Sequence, residues 1–364
     1  MVSRKRIAAL LGTAMLLVGV AACGGDDDDE GADAAPSGES RESDASGSGG
    51  WGEDAFPVTV EHEFGETEVP APPERIVTVG LTEQDTVLAL GLTPVGVTEW
   101  YGEQPFATFP WAQDELGDAE PEVLSQADGL QYERIAALEP DLILGLNAGL
   151  DDESYGRLAQ IAPTVAHPSG AEGYFSAWRD QTRLIGQAVG RSGEADAVIG
   201  EIDELFASAA EDHPEFEGTS VAFLQNAYYE GQAIAYQEGL STDFLTDLGF
   251  TIPGVLDEYV RQAEGSQAFI PLERLSVLDE ADVLLWGTEN AEDRAALEGE
   301  GVYRALEEVE DGRLVFTDGL TAAAIYFTSP LSLPYALDQL VPAMAGTLAG
   351  DGPVEITGPT EPPA

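Results

Sequence analysis

Pro73-Glu74-Arg75-Ile76-Val77-Thr78-Val79, followed by Leu88-Ala89-Leu90-Gly91-Leu92-Thr93-Pro94-Val95-Gly96-Val97, is the stretch that sets the architecture of this chain. Arg75 to Val79 is short and almost without polar alternation, the pattern of a strand covered on both faces. Glu83 to Leu90 has helical spacing and stops at Gly91, and Val95 to Thr98 is a second short strand. Strand, helix and parallel strand in so few residues make an α/β unit.

The same alternation continues outward. Pro57-Val58-Thr59-Val60 and Gly65 predict a hairpin ahead of this unit. Beyond it, Gln131 to Leu138 is helical, Asp141 to Leu144 is a strand, Glu153 to Ala162 a helix and Thr164 to Ala166 a strand. Phe175 to Val189 is helical, and Glu194 to Glu211 carries Ala195, Val198, Ile199, Ile202, Leu205, Phe206 and Ala209 at helical spacing. Ser192 is its expected N-cap, and its length is roughly 27 Å at 1.5 Å per residue. The alternation then restarts. Val221 to Leu224, Gln232 to Tyr236, Val283 to Trp286 and Leu314 to Thr317 are strands; Thr242 to Leu248, Leu272 to Leu278 and Leu331 to Leu348 are helices. The expected fold class is α/β: two Rossmann-like lobes, 55–191 and 213–349, joined by one long helix at 192–212.

The chain ends are of another kind. Arg4, Lys5 and Arg6 precede an apolar run, Ile7 to Val20, that closes on Ala21-Ala22-Cys23. That run is too short for a persistent membrane span and reads as a signal peptide, residues 1–22. Cys23, the only cysteine, follows small residues and resembles the lipidated cysteine of a bacterial lipoprotein. Residues 23–54 are Gly, Ser, Ala, Asp and Glu-rich, an acidic disordered tether with a reach of roughly 30 Å. Residues 350–364, with four prolines, are expected to be loose.

Charge excludes one class of function. The net charge is −53, and loss of the signal peptide takes it to −56, leaving twelve arginines, no lysine and 68 acidic residues. A phosphate backbone would be repelled, so nucleic-acid binding is excluded. The acids are spread along the whole chain, which favours an acid-rich surface for a salty medium over a polyanion built for one cationic partner. Near 1 M salt a Debye length of roughly 3 Å screens their mutual repulsion.

The opening stretch, with Glu133-Arg134-Ile135-Ala136-Ala137-Leu138-Glu139-Pro140-Asp141-Leu142-Ile143-Leu144, Ala162-Pro163-Thr164-Val165, Leu272-Glu273-Arg274-Leu275 and Ala281-Asp282-Val283-Leu284-Leu285, resembles the substrate-binding components of ABC importers for ferric siderophores, cobalamin and haem. The likeness covers roughly residues 57 to 345. It implies a helical-backbone (class III) binding protein, not an enzyme, that captures a ferric siderophore between two lobes; cobalamin and haem stay open. It further implies a permease with its ATPase as partners, the extracytoplasmic face of the membrane as location, a monomer, and no cofactor. Most of the matching residues are structural: buried strands, the helix stop at Gly91 and the turn at Pro140. Arg75 and Arg134 read as local ion-pair or capping residues.

A cleft between such lobes is lined by loops beyond the strands' carboxyl ends. Those ends carry Trp100 and Tyr101, Asn147, Tyr228 with Tyr236, Trp286 with Asn290, and Tyr326 with Phe327. Aromatic faces suit a large organic chelate, with Tyr and Trp donating hydrogen bonds. Arg261, in a loop-like stretch, is the expected cation for an anionic chelate. The lack of any basic cluster tilts the expectation toward a neutral or cationic ferric hydroxamate. The resemblance also implies one acidic residue on each lobe for pairing with permease arginines, placed at Glu83 or Asp85 and at Glu273.

Rival readings fare worse. Direct metal-ion capture wants several histidines with carboxylates, and His62, His167 and His213 lie in dissimilar segments, with His167 a candidate border of the cleft. For a hydrolase there is no Gly-x-Ser-x-Gly, no His-Glu-x-x-His and no thiol beyond Cys23. Carboxylate pairs are too common in this chain to diagnose anything.

Overall fold

The computed structural model describes residues 54–171, 173–174, 176–260 and 263–358, so Cys23, Phe175 and Arg261 lie outside the described residues. A hairpin, β1 (Val58–His62) and β2 (Gly65–Val69), comes first among the described residues. The first lobe then follows as β3 (Ile76–Thr78), α1 (Glu83–Ala89), β4 (Gly96–Glu99), α2 (Gln113–Leu116), β5 (Glu122–Ser125), α3 (Tyr132–Ala137), β6 (Leu142–Gly145), α4 (Asp152–Leu158), β7 (Thr164–Ala166) and α5 (Trp178–Ala188). Its five strands are parallel in the order β5-β4-β3-β6-β7. Every residue of β3 and β6 is buried, as continuous apolar strands between two helical layers must be.

The helix α6 (Ser192–Asp212) comes next. Ala195 near its start belongs to the core of the first lobe, while Ile199, Ile202 and Phe206 belong to the core of the second. One rigid rod is therefore shared between two cores. Ser192 is the first helical residue rather than the cap. Its N–H and hydroxyl both donate to the Asp54 carboxylate, at 3.2 and 2.5 Å, so the last residue of the expected tether satisfies the helix start.

The second lobe contains β8 (Val221–Tyr229), β9 (Gln232–Tyr236), α7 (Asp243–Thr246), β10 (Ala263–Pro271), the 3-10 segment Leu272–Glu280, β11 (Val283–Gly287), α8 (Ala291–Gly299), α9 (Glu307–Asp311), β12 (Leu314–Phe316), α10 (Gly319–Tyr326), α11 (Ser332–Ala349) and β13 (Val354–Glu355). The sheet order is β10-β9-β8-β11-β12-β13. The strand β13 lies in the tail expected to be loose: it pairs parallel to β12, and Ile356 after it is buried in the core. The elements β5, β10, α8 and α10 have no counterpart in the sequence reading, because their short polar or small-residue runs lack an apolar period.

The lobes touch directly. The Asp85 carboxylate of α1 accepts from the Ser329 hydroxyl at 2.5 Å and from Trp111 Nε1 at 2.8 Å. Trp111 meets the ring of Tyr335 on α11 at 5.3 Å, and Leu331 packs on Leu88, Ala112 and Leu116.

Candidate functional site

Three spaces lie where the strand ends of the two lobes face each other. The largest, about 700 Å³, is lined by Leu81 beyond β3, Glu99 to Glu103 at and beyond β4, Ser125 to Ala127 at and beyond β5, Tyr174, and Phe327 of the second lobe. A hollow of about 430 Å³ beside it shares Tyr101 and Gly102, and is otherwise lined mainly by residues beyond β11, β12 and β13, among them Glu289, Asn290, Arg294 and Asp318. A crevice of about 30 Å³ shares Tyr174 and Phe327 with the largest space and reaches Asn147, Ser176 and Tyr326.

The aromatic wall crosses the lobe boundary. Trp100 stands edge-on to Phe327, with centroids 5.4 Å apart, and tilts against Tyr101 at the same distance. The Tyr101 hydroxyl lies beside the Glu289 carboxylate of the other lobe; burial first, and then that carboxylate, raise the phenol above its usual range. Burial likewise raises the carboxyls of Glu289 and Glu99. Trp100 Nε1 is buried and has no hydrogen-bond partner. The ring of Trp100 lines the cavity while its N–H stays covered, an unpaired buried donor that costs stability.

Asn147 is 2% exposed. Its backbone N–H donates to Glu83 Oε1 at 2.7 Å and its amide donates to Thr82 Oγ1 at 3.3 Å, while its Oδ1 is left without a partner. The Glu83 side chain fits because residue 80 is glycine: a Cβ there would sit 2.0 Å from Glu83 Oε1. Tyr174 is placed by a second close approach. Gly149, at φ +58°, receives the Tyr174 ring where a Cβ would stand, and its N–H donates to Gly173 O at 3.0 Å.

The structure thus brings Trp100, Tyr101, Asn147, Tyr326, Phe327 and Asn290 to the facing surfaces. Asn290 is there as the N-cap of α8, accepting from Glu292 and Asp293 N–H. Tyr326 donates to Gly287 O at 2.5 Å. Other expectations are corrected. Trp286 is fully buried in β11, edge-on to Tyr303, and lies in the core because its strand is covered on both faces. Tyr236 stacks on Phe223 at 4.9 Å and donates to Gln225, with burial lifting its phenol to about 12. Tyr228 packs on Trp286 and lines none of these spaces. Arg261 lies outside the described residues.

Glu83 and Asp85 do not present their carboxylates to solvent. Both are buried, with exposures of 1% and 2%, and burial raises both, Asp85 to about 6. A side chain already enclosed by Asn147 and Thr82, or by Trp111 and Ser329, cannot meet an external arginine, so the docking expectation fails for these two. Glu273 is exposed. His167 does not border the cleft either; it lies edge-on to Phe64 at 5.6 Å beneath the hairpin, near His62, and burial lowers both imidazoles. His213 stacks on Phe216, after α6.

Tyr174, Gln126 and Glu289 were not legible as site residues. Their only sequence signals are the glycines that admit Tyr174; nothing local marks the other two.

The profile of the periplasmic binding protein family matches residues 76–319. The chain is 31% identical over 242 residues to the probable siderophore-binding lipoprotein YfiY of Bacillus subtilis (strain 168), covering 64% of this chain and 70% of that one. A periplasmic solute binding protein of Mycobacterium smegmatis superposes with a TM-score of 0.75 at 44% identity, over 80% of this chain and 98% of that structure. PiaA of Streptococcus pneumoniae in complex with ferrichrome does so at 0.69 and 25% identity, over 80% and 99%. With a two-lobed α/β fold, a helical backbone and a cleft between the lobes, the chain belongs to the periplasmic binding protein family, whose members carry substrates and are not enzymes.

Proposed function

We propose that this protein is the extracytoplasmic substrate-binding subunit of an ABC importer, that it captures a ferric siderophore between its lobes, and that a lipid on Cys23 holds it at the membrane. The observation that carries the reading is the cavity of about 700 Å³ lined by aromatic residues of both lobes, Trp100, Tyr101 and Tyr174 with Phe327. A space of that size suits an organic chelate whose apolar arms rest on Tyr and Trp faces. The names of the relatives point the same way. The shared helix α6, stiff and embedded in both cores, favours a modest closing motion over a wide hinge.

Docking on the permease falls to Glu133 and Glu273. They occupy matching places: Glu133 in α3 before β6, Glu273 in the 3-10 segment before β11. The windows Gln131-Tyr132-Glu133-Arg134-Ile135 and Pro271-Leu272-Glu273-Arg274-Leu275 share one burial pattern, two half-buried residues, two exposed and one buried. One exposed acid per lobe at equivalent positions suits a two-lobed permease surface bearing arginines.

Titration of intrinsic tryptophan fluorescence with ferric siderophores, cobalamin and haem tests the ligand class. Saturable quenching by a ferric chelate, diminished in Trp100→Phe, is expected. Quenching by cobalamin or haem alone would reassign the ligand, and no quenching by any of them would remove the capture reading.

A further inference from the structure

One buried carboxyl braces the aromatic wall of the cleft from behind. Asp85, in the first turn of α1, is 2% exposed and reaches the second lobe. Its Oδ2 accepts from the Ser329 hydroxyl at 2.5 Å and from Trp111 Nε1 at 2.8 Å. Both partners lead to the cleft. The Trp111 ring lies flat on Phe109, with centroids 4.5 Å apart and planes 2° from parallel. Phe109 in turn backs Trp100 at 5.9 Å and Tyr101 at 6.4 Å. Ser329 is two residues past Phe327, whose ring meets Trp100 edge-on across the lobe boundary at 5.4 Å. Its hydroxyl is fixed, accepting from Ser332 N–H at 3.0 Å, while Ser332 Oγ accepts from Ser329 N–H at 2.9 Å. The contacts at Asp85 and at Trp100 therefore belong to one closed circuit of packed side chains.

The hydrogen bonds on Asp85 are those of a neutral carboxylic acid. Oδ2 takes both donors, as a carbonyl oxygen with two lone pairs can, and the buried Oδ1 takes none. A proton on Oδ1 leaves an unpartnered O–H, which costs far less in the interior than an unpartnered charge. Burial accordingly raises the carboxyl to about 6. The titratable groups on the elements packed around it are Glu83 on α1, Asp114 and Glu115 on α2, Tyr326 on α10, and Tyr335 and Asp338 on α11. Glu83 is turned to Asn147, and of the rest Glu115 adds to the rise.

We propose that Asp85 is a positioning residue for ligand capture: its neutral form latches the lobes and sets the wall of Trp100, Tyr101 and Phe327, and loss of its proton loosens both the latch and the hold on the chelate. Water reaching Oδ1 through a parted boundary stabilises the anion, so the parted form holds the proton less tightly than the latched form. The latch is complete below the ordinary carboxyl range and is lost as pH rises through about 6. The effect on affinity rests on the capture reading above; the effect on lobe spacing does not.

The test reads both on the full chain carrying Cys23→Ser. Spin labels on Glu153→Cys in α4 and Ala295→Cys in α8, exposed positions in different lobes, report the spacing without a ligand. Between pH 5 and pH 8 the distance distribution should lengthen or broaden in the parent. It should stay fixed in Asp85→Asn, whose amide oxygen takes the same two donors and does not ionise. The affinity probe is ferrioxamine B, whose iron-bound hydroxamates and pendant ammonium do not titrate over that range. Its affinity should fall about fivefold from pH 5 to pH 8 in the parent and hold its pH 5 value in Asp85→Asn. Asp85→Ala should show the parent's pH 8 behaviour throughout, and the Asn variant decides the matter if Asp85→Ala fails to fold. A flat spacing profile in the parent, or the same profile in Asp85→Asn, overturns the latch. Spacing that moves while the affinity stays constant overturns the positioning of the cleft. No binding of ferrioxamine B at pH 5 overturns the claim on affinity, and the wider panel above then judges the capture reading separately.

Discussion

Asp85 shows what burial does to one carboxyl group. It is enclosed by Trp111, Ser329 and the start of α1; one oxygen takes two hydrogen bonds and Oδ1 takes none. Desolvation outweighs those bonds and raises the group to about 6, with Glu115 adding to the rise. The folded protein thus holds this proton more tightly than the unfolded chain. That contribution to stability is fully present below the unfolded pKa and is lost as pH rises through about 6. Asp85→Asn removes the titration while keeping an acceptor. It should be more stable than the wild type by about 2 kcal/mol at pH 8, with the difference vanishing near pH 4. Urea unfolding of both proteins across that range measures it. A variant uniformly less stable would mean that the contact between the lobes needs the charge. Comparing the pair at each pH also cancels the opposing effect of His62 and His167, whose lowered values cost stability as pH falls below 6.5.

At the scale of elements, α6 does the joining. Its apolar period marked seven positions for the buried face, and Ala195, Ile199, Ile202 and Phe206 are buried while Leu205 is 47% exposed. The difference is angular: Leu205 lies just outside the arc that two lobes can cover. Phe206→Ala should lower stability by about 3 kcal/mol through the cavity it leaves in the second lobe's core. Leu205→Ser should stay within about 0.5 kcal/mol of the wild type. Chemical denaturation of the two variants separates them, and equal losses would mean that Leu205 meets an apolar partner in solution.

For the whole molecule, the proposed function requires the two lobes to be read at once by a transporter. Glu133 and Glu273 repeat one placement on lobes that share no sheet. The double variant Glu133→Ala, Glu273→Ala should keep ligand affinity within about twofold, since neither residue lines the cleft. Uptake of labelled ferric chelate into cells should nevertheless be lost. Normal uptake would assign docking elsewhere, and a parallel loss of affinity would mean the acids act on the cleft.

Local pattern in the chain determined the α/β class, the joining helix, most strands, and the aromatic residues at the ends of β4 and α10. Those features follow from periodicity and from the exclusion of water by continuous apolar runs, which act over a few residues. It could not separate Trp100 from Trp286, since both sit near a strand's carboxyl end and only the layers packed around them decide which faces the cleft. Nor could it show that Glu83 and Asp85 turn inward, because Asn147 and Ser329, distant in sequence, receive them. Tyr174, Glu289 and the orphaned oxygen of Asn147 belong to the tertiary structure alone: a site between two lobes exists only once both have folded and met.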